Sequence, residues 1–181
     1  MSDSTPRKHI WIEPADPADA HAAHDAGATA VVLPEGIDTT GLPRVGTNGD
    51  LQEGRDFERY RIKQESDEEA VRRDRLAVVE PAEWTIIPAE NLIARGAKVI
   101  QVVDSAEQAK LALTIMEQGV AGIWLRDADI ITIEALGRVL EELQPAPLSL
   151  TEARITAINR VGMGDRSCLD LIGELDPGEG L

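Results

Sequence analysis

Aromatic residues, cysteine and basic charge are all scarce in this chain of 181 residues. Three Trp, one Tyr and one Phe cannot fill the core of a domain of this size, so we expect a core of Val, Ile, Leu and Ala. The one cysteine, Cys168, excludes a framework of internal disulfides. A chain without disulfides is typical of a reducing compartment, and we therefore expect a cytoplasmic protein.

The shortage of basic residues limits the classes of partner. Lys and Arg total 18 against 33 Asp and Glu, which gives a net charge of −15. Such a surface repels phosphates, so we expect neither nucleic acid nor an anionic membrane as a partner. No stretch comes near the roughly 20 consecutive apolar residues of a transmembrane helix. Residues 2–8 are polar and no apolar run follows them, which predicts that there is no signal peptide.

Short apolar runs alternate with amphipathic segments along the chain, as in α/β proteins. The run 97–103 is the clearest predicted strand, and the segment 106–118 has the apolar spacing of one helical face. Strands that alternate with helices predict a mostly parallel sheet. The other predicted strands are 9–13, 29–33, 57–63, 76–79, 121–125, 148–158 and 166–171.

The length of the chain limits the architecture. Complete (β/α) barrels begin at about 200 residues, more than this chain has. We predict a compact or partial (β/α) barrel-like domain with mostly parallel strands, and an open doubly wound sheet is the alternative. Residues 1–8 are predicted to be a flexible tail, and residues 9–181 a single α/β domain.

The stretch 80–96, EPAEWTIIPAENLIARG, predicts a short helix that follows a strand. Pro88 suits the first helical position, where a missing N–H has no cost. Glu90 suits the first turn, where a carboxylate meets the positive end of the helix dipole. Gly96 suits the left-handed residue just beyond the end.

The same stretch supplies the first candidate site residues, because Glu80, Glu83 and Trp84 fall in the predicted strand-to-helix loop. In α/β folds such loops lie at the carboxyl ends of strands, where active sites gather. We therefore predict Glu83 and Glu90 as catalytic residues, and Trp84 and Asn91 as substrate-binding residues. A purely structural role at the helix start is the alternative for Glu90.

The second group of candidates lies in the stretch 161–170, VGMGDRSCLD. Its two glycines let the backbone turn sharply or approach a ligand. Its arginine could clamp a carboxylate or a phosphate through the planar guanidinium group, and its first aspartate could accept a proton or hold a ribose or substrate hydroxyl. A β-turn with a local Asp–Arg pair is the structural alternative. The candidates are Gly162 and Gly164 beside the ligand, Asp165 and Arg166 as catalytic residues, and Arg166 and Asp170 as substrate-binding residues.

Metal-binding residues are not predicted. His21 and His24 are three positions apart in a predicted helix and could share one face. Two histidines without a third ligand are a weak metal signal, so we expect a solvated helix face.

Several stretches together resemble the type II 3-dehydroquinate synthases, a family typical of archaea. The similar segments include WTIIPAENLIA at 84–94 and VGMGDRSCLD at 161–170. They run in the same order as in that family and cover most of residues 76–181. The remaining similar segments are AGATAVVLPE at 26–35, AEQAKLALTIMEQGVAGIWL at 106–125, PGEGL at 177–181, and Trp11 near the start.

The resemblance implies an enzyme of aromatic amino acid biosynthesis. Members oxidatively deaminate 2-amino-3,7-dideoxy-D-threo-hept-6-ulosonate with NAD as the hydride acceptor, and close the ring to give 3-dehydroquinate. The resemblance therefore implies this amino sugar acid as the substrate, NAD as the cofactor, and Gly162 and Gly164 as cofactor-binding residues.

Two alternatives remain open. A related branch makes 3-amino-4-hydroxybenzoate without net redox chemistry and with a divalent metal. The chain is also about half the length expected from the resemblance, and it departs from the family pattern at Ser167 and at residues 171–172. It could therefore be a fragment, the N-terminal part of such an enzyme, or a shortened, non-catalytic relative that serves as a binding or assembly module. An apolar face left by a missing half would favour homo-oligomers.

Overall fold

The computed structural model describes residues 8–81, 86–116 and 118–144, together with the single positions 154, 156 and 157. The chain divides into two units, Met1–Leu143 and Gln144–Leu181. All the helices and strands given below belong to the first unit. Nearly all of the predicted strands 148–158 and 166–171 lies outside the described residues, so a single domain over 9–181 stays a prediction.

Seven parallel strands form one sheet. Each predicted strand of the first unit is present, and one more short strand occurs in the segment 34–55, which the sequence predicts as a loop. The strands are β1 (His9–Pro14), β2 (Ala30–Val32), β3 (Arg44–Val45), β4 (Phe57–Ile62), β5 (Leu76–Pro81), β6 (Lys98–Val103) and β7 (Gly122–Ala128).

The helices alternate with these strands. Asp16 begins the first helical segment by accepting a hydrogen bond from the backbone N–H of Ala18 at 2.9 Å, and a 3-10 turn, Pro17–Asp19, follows it. No helix in the described part of the chain has both the length and the apolar character needed to cross a bilayer. The helices are α1 (Ala20–Asp25), α2 (Glu65–Glu69), α3 (Ile86–Ala94), α4 (Ala106–Thr114) and α5 (Ile130–Glu142).

The strand order is that of a ring with one break. It runs β3–β2–β1–β7–β6–β5–β4, so neighbours in sequence pair with each other and β1 pairs with β7. A (β/α) barrel has this circular order. Among the described strands, the ring is open between β3 and β4. The predicted partial (β/α) barrel is therefore confirmed, and the alternative of an open doubly wound sheet is not.

The sheet is strongly curled. Trp11 of β1 and Phe57 of β4 lie four strands apart in the sheet order, which would separate them by about 19 Å if the sheet were flat. Their ring centroids are 5.1 Å apart. The two rings meet across the inside of the curl, so the sheet forms a half-barrel with a filled interior.

Alternation along each strand divides the apolar residues into two cores. In β7, Ile123 and Leu125 face the helices, whereas Trp124 faces the interior with Trp11, and their ring centroids are 6.0 Å apart. The helix-facing core is aliphatic, as the composition predicts. Three aromatic residues fill the interior of the curl: Trp11, Phe57 and Trp124. The interior core is Trp11, Ala30, Val45, Phe57, Val78, Ile100, Val102 and Trp124.

The break in the ring is partly covered by the segment between the edge strands. Leu51 forms an isolated bridge to Val45 of β3, and Glu53 forms another to Phe57 of β4. Leu51 also packs against the interior core. We call this segment, residues 46–56, the seam segment. It joins the edge strands through single bridges rather than through a continuous ladder.

The predicted boundaries of helices α3 and α4 differ from the structure. Helix α3 begins at Ile86, so Pro88 is its third residue; this is tolerated because the first N–H groups of a helix have no partner within it. Helix α4 ends at Thr114 rather than at 118. There the carbonyl of Ala112 accepts the N–H of Val120, so the chain turns back toward β7 instead of continuing the helix.

His9, at the start of β1, lies beside the interior and links stability to pH. Its ring meets that of Trp11 edge-on, with centroids 6.4 Å apart. Burial, and then the charge of Lys98, lowers the pKa of His9 from its ordinary 6.5. The unfolded chain therefore takes up this proton at a higher pH than the folded chain does. The contribution of His9 to stability is complete above about pH 6.5 and is lost as the pH falls through its folded pKa.

We expect the His9→Gln variant to lose less stability than the wild type between pH 7.5 and pH 5.5, because it lacks this titration. Urea unfolding at the two pH values measures the difference. Lys98→Gln removes only the second cause of the shift, so its pH dependence should lie between those of the wild type and His9→Gln. Equal pH dependence in all three proteins would contradict this assignment.

Candidate active site at the mouth of the half-barrel

The inward-facing side chains change from apolar to charged at the carboxyl ends of the strands. Each charged residue except Arg61 stands two positions beyond an inward apolar one, which keeps it on the same face of the strand; Arg61 stands two positions beyond Arg59. This end of a parallel sheet is where α/β proteins place their active sites. We call this region the mouth. Its charged residues are Glu13, Arg59, Arg61, Glu80, Asp104 and Arg126.

Arg126 of β7 is held between two carboxylates of the mouth. Its Nη1 donates to Glu80 Oε1 at 2.6 Å, and its Nη2 and Nε donate to Asp104 Oδ1 at 3.0 and 3.3 Å. The bond to Glu80 is the main cause that raises the pKa of Arg126 above its ordinary value, and Asp104 adds to it. The guanidinium therefore links β5, β6 and β7 across the mouth.

The pairing of Arg126 with Glu80 is expected to contribute about 0.5 kcal/mol to stability, because both side chains are about 40% exposed and water screens the pair. A double-mutant cycle of Glu80→Gln and Arg126→Gln, measured by urea unfolding, gives this coupling. It should shrink in about 1 M salt, where the Debye length is close to 3 Å. A coupling that salt leaves unchanged would contradict this account.

Arg59 of β4 lies over an aromatic ring rather than between carboxylates. Its guanidinium carbon is 4.2 Å from the centroid of the Trp124 ring, which is cation–π distance. Trp124 is in turn fixed by its indole Nε1, which donates to Glu13 Oε2 at 3.0 Å. Glu13, Trp124 and Arg59 thus form a chain of contacts from β1 through β7 to β4. The nearest carboxylate to Arg59 among the described residues belongs to Glu53, 3.9 Å from Nε.

These groups surround a cavity of about 290 Å³ that opens to solvent. Ligand cavities in proteins run from roughly 300 to 1,000 Å³, so this one suits a small metabolite. Its floor is apolar and its rim carries both signs of charge, which suits a ligand with an anionic group and several polar groups. The lining residues are Glu13, Arg59, Tyr60, Arg61, Val78, Glu80, Val102, Trp124 and Arg126.

Most of the site residues predicted from the sequence lie outside the described residues. Glu83 and Trp84 lie outside the described residues, as do all the predicted site residues between 162 and 170. Glu90 and Asn91 are in α3 and half-buried. Asn91 Nδ2 donates to Glu68 Oε1 of α2 at 3.3 Å. The catalytic role of Glu90 and the substrate-binding role of Asn91 stay predictions.

The sequence predicts a loop at Glu80, but this residue is part of strand β5, and its carboxylate reaches Arg126. The sequence motifs do not indicate the other charged residues of the mouth. Glu13, Asp104 and Arg126 share one signal with Glu80, which is an apolar residue followed two positions later by a charge at the end of a strand. The pairs that show it are Trp11 and Glu13, Val78 and Glu80, Val102 and Asp104, and Trp124 and Arg126.

No group of three His, Cys, Asp or Glu side chains that could hold a metal ion occurs among residues 8–81, 86–116 and 118–144. The carboxylates of the mouth instead pair with guanidinium and indole N–H groups.

The fold and the mouth define a (β/α) barrel-type domain in which charged residues gather at the carboxyl ends of the strands. The chain belongs to the family of the 3-dehydroquinate synthase II N-terminal domain, whose family model matches residues 7–140. All seven strands and the charged residues of the mouth lie within that match.

Curated proteins with related sequences bear the same family name. A 3-dehydroquinate synthase homolog from Aquifex aeolicus is 38% identical over 181 residues, which cover 95% of this chain and 54% of that protein. A 3-dehydroquinate synthase from Methanoculleus marisnigri is 38% identical over 168 residues, which cover 90% of this chain and 51% of that protein. The chain thus spans about half the length of the curated relatives it matches.

A solved structure resembles the fold. Monomers of phosphoribosylanthranilate isomerase from Thermotoga maritima superpose with a TM-score of 0.54 and 14% sequence identity, over 76% of this chain and all of that one. At this identity the likeness concerns the fold alone.

Proposed function

We propose that this chain forms the substrate-binding part of a type II 3-dehydroquinate synthase. In this proposal the substrate is 2-amino-3,7-dideoxy-D-threo-hept-6-ulosonate, which undergoes oxidative deamination and ring closure to 3-dehydroquinate. The observation that carries the proposal is the charged mouth with its small cavity, inside the region that matches the family model. A seven-carbon acid with an amino group, hydroxyls and a ketone has the size and polarity that such a cavity accepts.

The proposed chemistry requires groups that move protons. The hydrogen on C2 leaves as hydride, and water then replaces the nitrogen, which is released as ammonia. C7 loses a proton beside the C6 ketone and then attacks C2, which closes the ring. Carboxylates suit the removal of protons from the C2 ammonium and from C7. Glu13 joins Glu83, Glu90 and Asp165 as a candidate for these steps, because it lines the cavity.

NAD, when bound, would accept the hydride from C2. The cavity of about 290 Å³ lies at the small end of the range for ligand sites, so a whole dinucleotide does not fit there together with the substrate. The proposal therefore keeps the described cavity for the amino sugar acid. It assigns NAD to Gly162 and Gly164, which lie outside the described residues.

Two measurements test the proposal. Calorimetric titration of the purified chain with the amino sugar acid should show binding. Incubation with the acid and NAD should give NADH, followed by its absorbance, and 3-dehydroquinate, identified by mass spectrometry. A folded chain that neither binds nor converts the acid would overturn the proposal.

The same incubation separates the two branches of the family. Product formation that continues with a chelator and stops without NAD supports the synthase. A different product, formed without NAD and abolished by chelation, would instead support the 3-amino-4-hydroxybenzoate branch. Binding of the acid without conversion would support a binding role for this chain by itself.

A further inference from the structure

We propose that Arg59 binds the carboxylate of the substrate, and that Trp124 and Glu13 position Arg59 for this task. The inference rests on the proposed function, because it takes the amino sugar acid as the ligand of the mouth. It adds a binding residue on β4 that the sequence motifs do not indicate.

Two of the three guanidinium groups of the mouth, those of Arg126 and Arg59, differ in their partners. Arg126 donates to both Glu80 and Asp104, so two carboxylates already neutralise it. A third carboxylate there would meet two negative charges at close range. Arg126 therefore suits holding the strands together better than it suits binding an acid.

Arg59 has a different environment. The Trp124 ring supports its guanidinium at 4.2 Å, and a ring face attracts the cation without occupying its N–H donors. The carboxylate of Glu53 is 3.9 Å from Nε, which is too long for a hydrogen bond, and its side chain is 57% exposed. Arg59 thus lines the cavity with donors available to a carboxylate in the fork geometry that suits such pairs.

The contacts behind Arg59 explain how a side chain on an edge strand can be held in place. Trp124 is 4% exposed, and its Nε1 donates to Glu13 at 3.0 Å, so the ring cannot turn without losing that bond. A fixed ring gives the guanidinium a fixed surface to lie on. Trp124 and Glu13 therefore position Arg59, and Arg59 is the residue that contacts the carboxylate of the ligand.

The test compares two probes, the amino sugar acid and its C1 carboxamide, titrated calorimetrically into the full chain. Arg59→Gln is expected to weaken binding of the acid by roughly 10- to 100-fold, the range for losing a hydrogen-bonded charge pair. Binding of the carboxamide should change by less than about threefold, because it has no charge to pair. Arg59→Lys keeps the charge without the fork and should recover part of the loss.

Variants of other arginines show whether the loss of acid binding is specific to Arg59. Arg138→Gln removes one positive charge from helix α5 on the outer layer and should leave both affinities unchanged. Arg61→Gln removes the next guanidinium along β4, and Arg166→Gln removes the arginine that the sequence motif predicts. Loss of acid binding in either of these, with none in Arg59→Gln, would overturn the inference.

A double variant tests the positioning role of Trp124. Trp124→Leu removes the ring face and should lower the preference for the acid over the carboxamide. In Arg59→Gln the same change should have no further effect on that preference, because the guanidinium it positions is absent. Additive effects in the double variant would contradict the positioning role.

The outcomes separate the inference from the proposed function. If the wild type does not bind the acid, both fail. If it binds the acid and Arg59→Gln binds it equally well, only the inference fails. Circular dichroism and the thermal midpoint of each variant show that the comparison is between folded proteins.

Discussion

Replacing Trp11 with alanine is expected to lower the free energy of unfolding by about 3–5 kcal/mol, the range for truncating a large aromatic residue in a core. Trp11 is fully buried and contacts both Phe57 and Trp124 across the interior. Its loss leaves a void that rigid strands on either side cannot close. Urea unfolding followed by circular dichroism measures the change.

Two controls accompany this variant. Trp11→Phe keeps an aromatic ring in the interior and should cost less than Trp11→Ala. Ile131→Ala removes an apolar side chain that is 69% exposed on α5 and should change stability by less than about 0.5 kcal/mol. If Trp11→Ala were as stable as Ile131→Ala, the interior would not be the tightly packed core described above.

Gly122→Ala is expected to destabilise the protein by about 3 kcal/mol, because it overpacks the start of β7. A Cβ atom at Gly122 would lie 2.2 Å from the carbonyl oxygen of His9 and 2.5 Å from its Cβ. Both are well inside van der Waals distance, and His9 is the partner of Gly122 in the β1–β7 pairing. The substitution must therefore push these two strands apart where the ring of strands depends on them.

The matched control for this prediction is Gly137→Ala in α5. There the new Cβ would approach the Cα of Ala26 to 3.3 Å, and the gain in helix propensity offsets the tight contact. We expect a change of less than about 1 kcal/mol. A Gly122→Ala variant with wild-type stability would mean that β1 and β7 are not paired in this register.

Most of the fold of the first unit follows from local patterns in the sequence. Apolar runs such as those of β6 and β7 are stable when they are buried in a sheet that helices cover. The strand β3, with two residues, has no such run and was predicted as loop. Its pairing with β2 comes from the curled sheet rather than from its own sequence, so only the tertiary structure reveals it.

The mouth was harder to predict, because its residues are far apart in the chain. Arg126 meets Glu80 across 46 positions, and Trp124 meets Glu13 across 111. Single charges at strand ends are also common at solvated surfaces, which made each of them unremarkable alone. Only the strand order, with β1 beside β7, brings them to one edge.

The break in the ring leaves β4 with few backbone hydrogen bonds on one side. It is an edge strand with a full ladder on one side and a single bridge to the seam segment on the other. Local opening should be more frequent at such an edge than in the interior strands, and its amide hydrogens should therefore exchange with solvent faster. Because Arg59 and Arg61 belong to that strand, outward movement of β4 would widen the cavity and move two positive charges away from it.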